Sequence, residues 1–392
     1  MDSQIPALKS TPLVSDSPWP LEEHSSALET ALRKAVPDRK EEDWRFLDPS
    51  IFPWEEFEQA ALQEHRKFGV QSQVESSVAL PAVDTARLSQ TLAIREEDTD
   101  AKFLYLHRAV GNPVVAYRIP GDLRDSAIRI VQRISGPAAP TIVLHVESRA
   151  DIVVYHRWET AANGATPMIG RIEIVLEPGA RLHFLHEDQL SATSPLYYRA
   201  HARLAENAHL DWGVFTTGSV WHAAKMTIDL QGAGAESTTY GLFCGAGERT
   251  AEHRTLQNHF CPRAKSDLVF KSLLAGKSHS VYQGMIRVEK TAQRTDAYQA
   301  SRNLILSPAA HAETIPRLEI LADDVRCSHG ASVGTVDVNM LFYLMTRGLN
   351  RAQALAMVAE GFAEEVIRRV PLNDIAARWR SAVQQTIGNN LA

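Results

Sequence analysis

The chain has 392 residues, 44% hydrophobic and 22% charged, enough to bury a large core without metal or disulfide staples. Its net charge of −6 supplies no cationic field and argues against a nucleic-acid binder, and no run of about 18 apolar residues spans a membrane. The opening MDSQIPALKS lacks the regions of a secretory signal, and three cysteines (Cys244, Cys261, Cys327) exclude a disulfide framework, so a cytoplasmic protein is expected.

In chain order, residues 25–36 carry Leu28 and Leu32 four apart and stop at Pro37, which predicts a short amphipathic helix. Residues 53–68 predict a second helix, with the run Glu41-Glu42-Asp43-Trp44-Arg45-Phe46 between the two. Residues 71–80, rich in Ser, Gln and Val, read as a linker. From about Thr141 the pattern becomes β: 171–177, 210–214, 225–230 and 285–288 alternate polar and apolar, and period two buries one face of a strand.

These strands recur at a fixed interval. A small residue opens a segment at Ala150, Ala180, Ala208, Ala235, Ala264 and Ala292, with spacings of 30, 28, 27, 29 and 28. A period of this size marks a repeat architecture, and two strands with two turns per unit fit one coil of a β-helix. The alternative is a β-sandwich with evenly spaced turns. After Asp337, apolar residues at Leu355, Val358, Phe362, Val366 and Val370, then Trp379, Val383 and Ile387, predict two amphipathic helices broken at Pro371. Gly361 inside the first suggests close packing against another element.

Nucleotide motifs fail on their own chemistry. Gly276-Lys277-Ser278 resembles the end of a phosphate loop, but Lys271 stands where its first glycine is needed. Gly232-Ala-Gly234 and Gly245-Ala-Gly247 lack the third glycine of a dinucleotide fingerprint and read as turns. There is no Gly-x-Ser-x-Gly, no HExxH and no selectable carboxylate pair, so no catalytic residue is assigned. Two i, i+2 pairs offer N and S donors on one strand face, His259/Cys261 and Cys327/His329, and His253 joins the first if the chain folds back. The cysteines lie 17 and 66 residues apart, so the chain cannot hold an iron–sulfur cluster by thiolates alone.

The stretches 303–308 (NLILSP), 316–334 (PRLEILADDVRCSHGASVG), 341–349 (LFYLMTRGL) and 352–367 resemble the SufB/SufD family of iron–sulfur assembly proteins, and the likeness runs through roughly residues 140 to 370. The length and the segment around Trp44 are similar to its SufD branch; where the SufB branch carries a cysteine, the register with Pro316 puts Ala310. The resemblance implies a right-handed parallel β-helix flanked by N- and C-terminal helical segments, divided at 1–95, 96–336 and 337–392. It implies pairing with SufB through the β-helix ends and binding of the ATPase SufC through C-terminal helices, by Leu341, Phe342, Tyr343, Arg347, Leu355, Phe362 and Val366. It links His329, and with less weight Cys327, to iron or a nascent cluster at the seam with SufB, with no cofactor held stably by this chain alone and no activity of its own. Two other readings are a homodimeric metal-binding or structural module acting without SufB, and a carbohydrate-active β-helix enzyme.

Overall fold

The computed structural model describes residues 9–10, 21–62, 69–76, 78–94, 100–111, 114–161 and 164–388. The N-terminal part comprises β1 (Lys9–Ser10), α1 (Leu21–Arg33), two 3-10 turns (Glu42–Trp44 and Pro49–Ile51), α2 (Trp54–Leu62), β2 (Val70–Ser76), α3 (Thr85–Thr91) and α4 (Ala101–Val110). Strands then follow one another without intervening helices. Successive strands fall alternately into two sheets, which is the signature of a coil closing on itself. One sheet holds β3 (Val114–Ile119), β5 (Thr141–Val146), β7 (Met168–Leu176), β9 (Pro195–Leu204), β11 (Trp221–Leu230), β13 (Thr250–His259), β15 (His279–Val288) and β17 (His311–Ile320). The other holds β4 (Arg124–Ile134), β6 (Asp151–Thr160), β8 (Arg181–Gln189), β10 (His209–Thr216), β12 (Glu236–Gly245), β14 (Lys265–Leu274), β16 (Asp296–Ile305) and β18 (Arg326–Thr335). All these pairings are parallel, so the protein is a parallel β-helix of about eight coils and not a sandwich. Three helices follow: α5 (Val338–Thr346), α6 (Arg351–Ile367) and α7 (Asn373–Gly388).

The alanine repeat has a steric cause at one corner of each coil. Ala150, Ala180, Ala208, Ala235 and Ala264 are fully buried, each just before a strand of the β4–β18 sheet. The residue ahead of each is left-handed: Arg149 (φ 68°), Gly179 (69°), Asn207 (55°), Gly234 (70°) and Arg263 (60°). The corners also stack, since Gly179 N–H donates to Glu206 O at 2.9 Å and Asn207 N–H to Ala233 O at 3.0 Å. The sixth member departs from expectation. Ala292 closes an earlier turn on Glu289 O (2.9 Å), and the corner belongs to Thr295, whose left-handed predecessor is Arg294 and whose hydroxyl donates to Ala292 O at 2.8 Å. The glycine pairs are turns as read: Gly234 and Gly247 have positive φ, and Lys277 forms a surface ion pair with Glu248 at 2.9 Å.

Because pairing is in register, every inward position becomes a column running the length of the helix. One column reads Ile152, Leu182, Leu210, Ser237, Ser266, Ala297, Cys327, and the next reads Val154, Phe184, Trp212, Thr239, Leu268, Gln299, His329. The early coils are apolar and the late coils small and polar. Histidines also line the interior. His156 and His186 face each other Nδ1 to Nδ1 at 3.1 Å, His222 Nδ1 meets Asp188 Oδ2 at 3.0 Å, and the His222 and His253 rings lie 4.9 Å apart. Burial lowers His186 to about 3 and His259 to about 4, and holds His156 and His253 well below the usual histidine range, so these four are neutral.

Each outer face is covered by helices. On the β3–β17 sheet, Trp44, Phe52, Phe57 and Phe103 pack over Ile169, Tyr197 and Trp221. Trp44 is the anchor, stacked on Trp221 (6.4 Å, 4°) with the Arg254 guanidinium 4.5 Å over its ring. On the other sheet, α6 and α7 bury Ala363, Val366 and Trp379 against Phe215, Leu242 and Leu273. Lys271 fastens α6, its Nζ donating to Phe362 O (2.8 Å) and pairing with Glu365 (2.5 Å).

Three expectations need correction, and one runs beyond the described residues. Residues 71–80 are not all linker, because β2 pairs antiparallel with β4 and places Val74 in the core. The coils begin at β3, well before Thr141. The second helix is described only to Leu62, and residues 63–68 lie outside the described residues. Gly361 is exposed with open space where a Cβ would stand, so close packing does not explain it.

Gly361→Ala is therefore expected to stabilise the protein by about 1 kcal/mol in urea unfolding, the propensity difference in a helix interior; a destabilised variant contradicts the open space found there. The interior histidines set a pH dependence. Unfolded, they titrate near the ordinary value of about 6.5; folded, His186 and His259 titrate at about 3 and 4. The unfolded chain thus binds more protons below pH ~6.5, and stability falls as pH drops from there toward the folded values, by about 1.4 kcal/mol per pH unit per buried histidine. His209, raised by its hydrogen bond to Asp211, opposes this trend. The urea midpoint is expected to drop clearly between about pH 7 and about pH 5, and a flat profile contradicts neutral burial.

Candidate functional site

The coils stop at β17 and β18. Each is the terminal strand of its sheet, so each leaves a row of backbone N–H and C=O groups without a strand partner among the described residues. The columns that are sealed in earlier coils end here open. Ile320, Leu321 and Val333 are large apolar side chains left exposed at this rim. A β-helix that ends without a cap presents both an apolar inner face and a ladder ready to pair.

Cys327 and His329 sit on β18 at inward column positions, above Ala297 and Gln299 of β16. They share one strand face, as the i, i+2 spacing predicts. Cys327 is half-buried, packed with Ala297, Ala322 and Val288, while His329 is exposed. Beneath His329, Gln299 is fully buried and its Nε2 donates to Arg317 O at 3.0 Å, tying β16 to β17 and keeping the terminal coil in place. Burial pushes the Cys327 thiol up, with the Asp296 charge acting in the same sense, so a thiolate forms there only when a cation or metal stabilises it. The pair supplies one N and one S donor on the inward face of the last strand, where the columns end, and any cluster or ion needs its remaining ligands from elsewhere.

The other pair does not converge. His259 ends β13 with its ring buried and Nε2 2.9 Å from Ser266 Oγ, whereas Cys261 lies past the strand, its Sγ donating to Gln231 O at 2.8 Å. His253 lies inside near Thr216, with Nε2 3.3 Å from its Oγ1. Cys244 is sealed under α7 and α6 packing, and burial raises its thiol to about 12. Ala310 is buried in a small cluster with Phe243 and Ala251.

The helical docking residues divide by burial. Asp337 starts α5 by accepting from Asn339 N–H at 2.8 Å, and α6 starts at an Asn350/Gln353 capping box. Within α5, Leu341 is buried and Leu344 packs half-buried against the same cluster. Phe342 (69% exposed), Tyr343 and Arg347 face solvent. Leu355 and Phe362 are half-buried and Val366 is fully buried, so Val366 holds α6 to the coils and offers no surface. Sequence reasoning missed three further exposed apolar side chains on α5, Val338 (74% exposed), Met340 and Met345, and Met357 on α6. Helix α5 is apolar all round, so it shows no amphipathic period, and that unbroken apolarity on a short segment was the available signal. No helix among the described residues is long and apolar enough to cross a membrane.

Comparison with known proteins places this architecture. The model of the SufBD core domain of SUF-system FeS cluster assembly matches residues 130–362, more than half of the chain. An iron–sulfur cluster assembly SufBD family protein of Mycobacterium tuberculosis is 26% identical over 269 residues, covering 65% of this chain and 66% of that protein. The iron–sulfur cluster assembly protein SufD of Escherichia coli is 29% identical over 230 residues, 58% of this chain and 51% of its own; SufD of Bacillus subtilis is 25% identical over 248 residues, 63% and 57%. The chain thus spans between about half and two thirds of the length of these relatives. The matched region runs from β4 into α6 and takes in the open coil, Cys327, His329 and α5: the chain belongs to the SufBD family of iron–sulfur cluster assembly proteins.

Proposed function

We propose that the chain is a SufD-type, non-catalytic subunit of a cytoplasmic SUF complex. It pairs its open coil with the corresponding end of SufB, presents α5 to the ATPase SufC, and lends His329 and Cys327 to iron or a nascent cluster at the seam. One observation carries this reading: inward positions that are buried in the earlier coils hold a thiol and an imidazole in the last coil, where the columns lie open. A stiff ladder ending in strands with one open edge suits edge-to-edge pairing with a like partner, and the donors then sit at the junction. Ala310, in place of a cysteine, fits an accessory role in which SufB supplies the missing thiolate. Family membership favours assembly over carbohydrate chemistry. Because β17 and β18 each have one open edge among the described residues, a second copy occupies the same edge when SufB is absent.

The α5 surface supports the ATPase contact, since exposed aromatic and methionine side chains on one short helix form the apolar, adaptable centre typical of binding hot spots. Movement of the ATPase would then act on the rigid coils through α6, which Lys271 and Arg302 join to β14 and β16 by way of Glu365.

Two experiments test the reading. Co-expressed with SufB and SufC, His329→Ala is expected to leave the complex intact, since an exposed substitution shifts stability by no more than about 0.5 kcal/mol. The iron and sulfide content of the purified complex should fall several-fold; unchanged content removes His329 from the site. Phe342→Asp is expected to weaken SufC binding by about 2 kcal/mol, roughly thirtyfold, in a pull-down titration while SufB remains bound. Equal binding of SufC places its contact elsewhere.

A further inference from the structure

The terminal two coils carry a second set of metal-capable side chains, apart from Cys327 and His329. His279 on β15 and His311 on β17 are register partners, and Glu313 follows two residues after His311 on the same strand face. That face is opposite to Ala312, which packs in a buried cluster with Ala251, so the three side chains project from the outside of the β3–β17 sheet. Cys327 and His329 belong to the other sheet, so the two sets share no residue.

His279 Nε2 is 3.6 Å and His311 Nε2 3.4 Å from the same Glu313 Oε1, and one donor atom from each of the three residues falls within 4.8 Å of the others. The first separation is too long for a good hydrogen bond. Donors bound at about 2.0–2.1 Å to one tetrahedral ion stand roughly 3.3–3.4 Å apart, close to both separations. His279 Nε2 and the second carboxylate oxygen of Glu313, Oε2, are buried without any hydrogen-bond partner. Buried polar atoms are nearly always satisfied, and an orphaned imidazole nitrogen beside an orphaned carboxylate oxygen is the arrangement that a shared cation completes. The parallel ladder fixes the spacing, because His279 and His311 are hydrogen-bonded neighbours in adjacent coils and cannot drift apart without breaking register.

We infer that His279, His311 and Glu313 form a binding site for a divalent first-row transition-metal ion such as Zn²⁺ or Fe²⁺. Two imidazoles and a carboxylate suit ions of borderline softness and hold neither Mg²⁺ nor Cu⁺ well. The His311 side chain is 67% exposed, so the remaining coordination positions of a bound ion would face solvent. This inference does not depend on the partner assignments above.

The test is titration of the purified, metal-stripped full-length chain with Co²⁺, followed by its visible d–d absorption, and with Zn²⁺ in calorimetry. The wild type is expected to bind one equivalent with a defined Co²⁺ spectrum and to melt at higher temperature with Zn²⁺ present. His311→Ala and Glu313→Gln should each weaken binding by more than about tenfold, at least the loss seen when a mere outer-sphere partner is removed. Both should melt like the metal-free wild type, which separates loss of a ligand from loss of fold. Cys327→Ser/His329→Ala should retain the equivalent in full. Absence of stoichiometric binding in the wild type, binding by His311→Ala equal to wild type, or its loss in the Cys327→Ser/His329→Ala variant would overturn the inference.

Discussion

In-register parallel pairing is the constraint on which the rest of this structure depends. Each coil lies on the next with the same residue over the same residue, so a single choice of side chain is read against its neighbours above and below. The corner alanines follow from this, because a buried corner repeated in every coil has room for only a small residue. Gly241 shows how tight the stacking is: a Cβ there would lie 2.3 Å from the Phe270 ring of the following coil. The same rule makes the end of the ladder special. Among the described residues no further strand covers the last column positions, and what is a sealed interior elsewhere is half-open at Cys327 and exposed at His329.

The interior balances two opposing costs. Apolar columns dominate near β6 to β10 and drive burial. Toward the end they give way to Gln299, Ser301 and Asn303, which must hydrogen-bond across coils. Gln299 does so by bonding Arg317 O, and Asn303 by donating to Ser332 O at 3.2 Å. A polar terminal coil is less well stabilised by burial, yet it is held by directional bonds that fix geometry, which suits a place where donor atoms must be presented at set positions. The helical layers complete the frame. Trp44 ties the N-terminal layer to one sheet, Lys271 ties α6 to the other, and Glu42 reaches Arg317 at 2.6 Å on the terminal strand itself.

Much of this was legible before the fold was known. The period of the alanines and the alternation at 171–177 and 225–230 both report positions that face one interior, and periodicity survives in sequence because every coil meets the same sterics. The Cys327/His329 pair was legible for the same reason, since i and i+2 share a face on any strand. What escaped were features without a period. The strand over 70–76 runs antiparallel between β1 and β4, outside the repeating coils, and so carries no period. Thr295 replaces alanine at its corner because a hydroxyl that bonds backward is accepted there, and a search for alanine passes over it. The second histidine pair failed because Cys261 falls just beyond the strand end, where alternation no longer applies.

By itself, then, the order of residues determined the repeat, the inward face of each strand, the helical ends and the pair of donors on the last strand, all of which are local or periodic properties. Tertiary structure alone decided which of those inward faces stays open, that α5 turns its aromatic side chains to solvent while Val366 is sealed, and that His279, His311 and Glu313 meet although they span 35 positions of chain. The reason is physical: burial and convergence depend on what stacks above and beside a residue, and in a coiled ladder that neighbour is about thirty residues away and absent at the end.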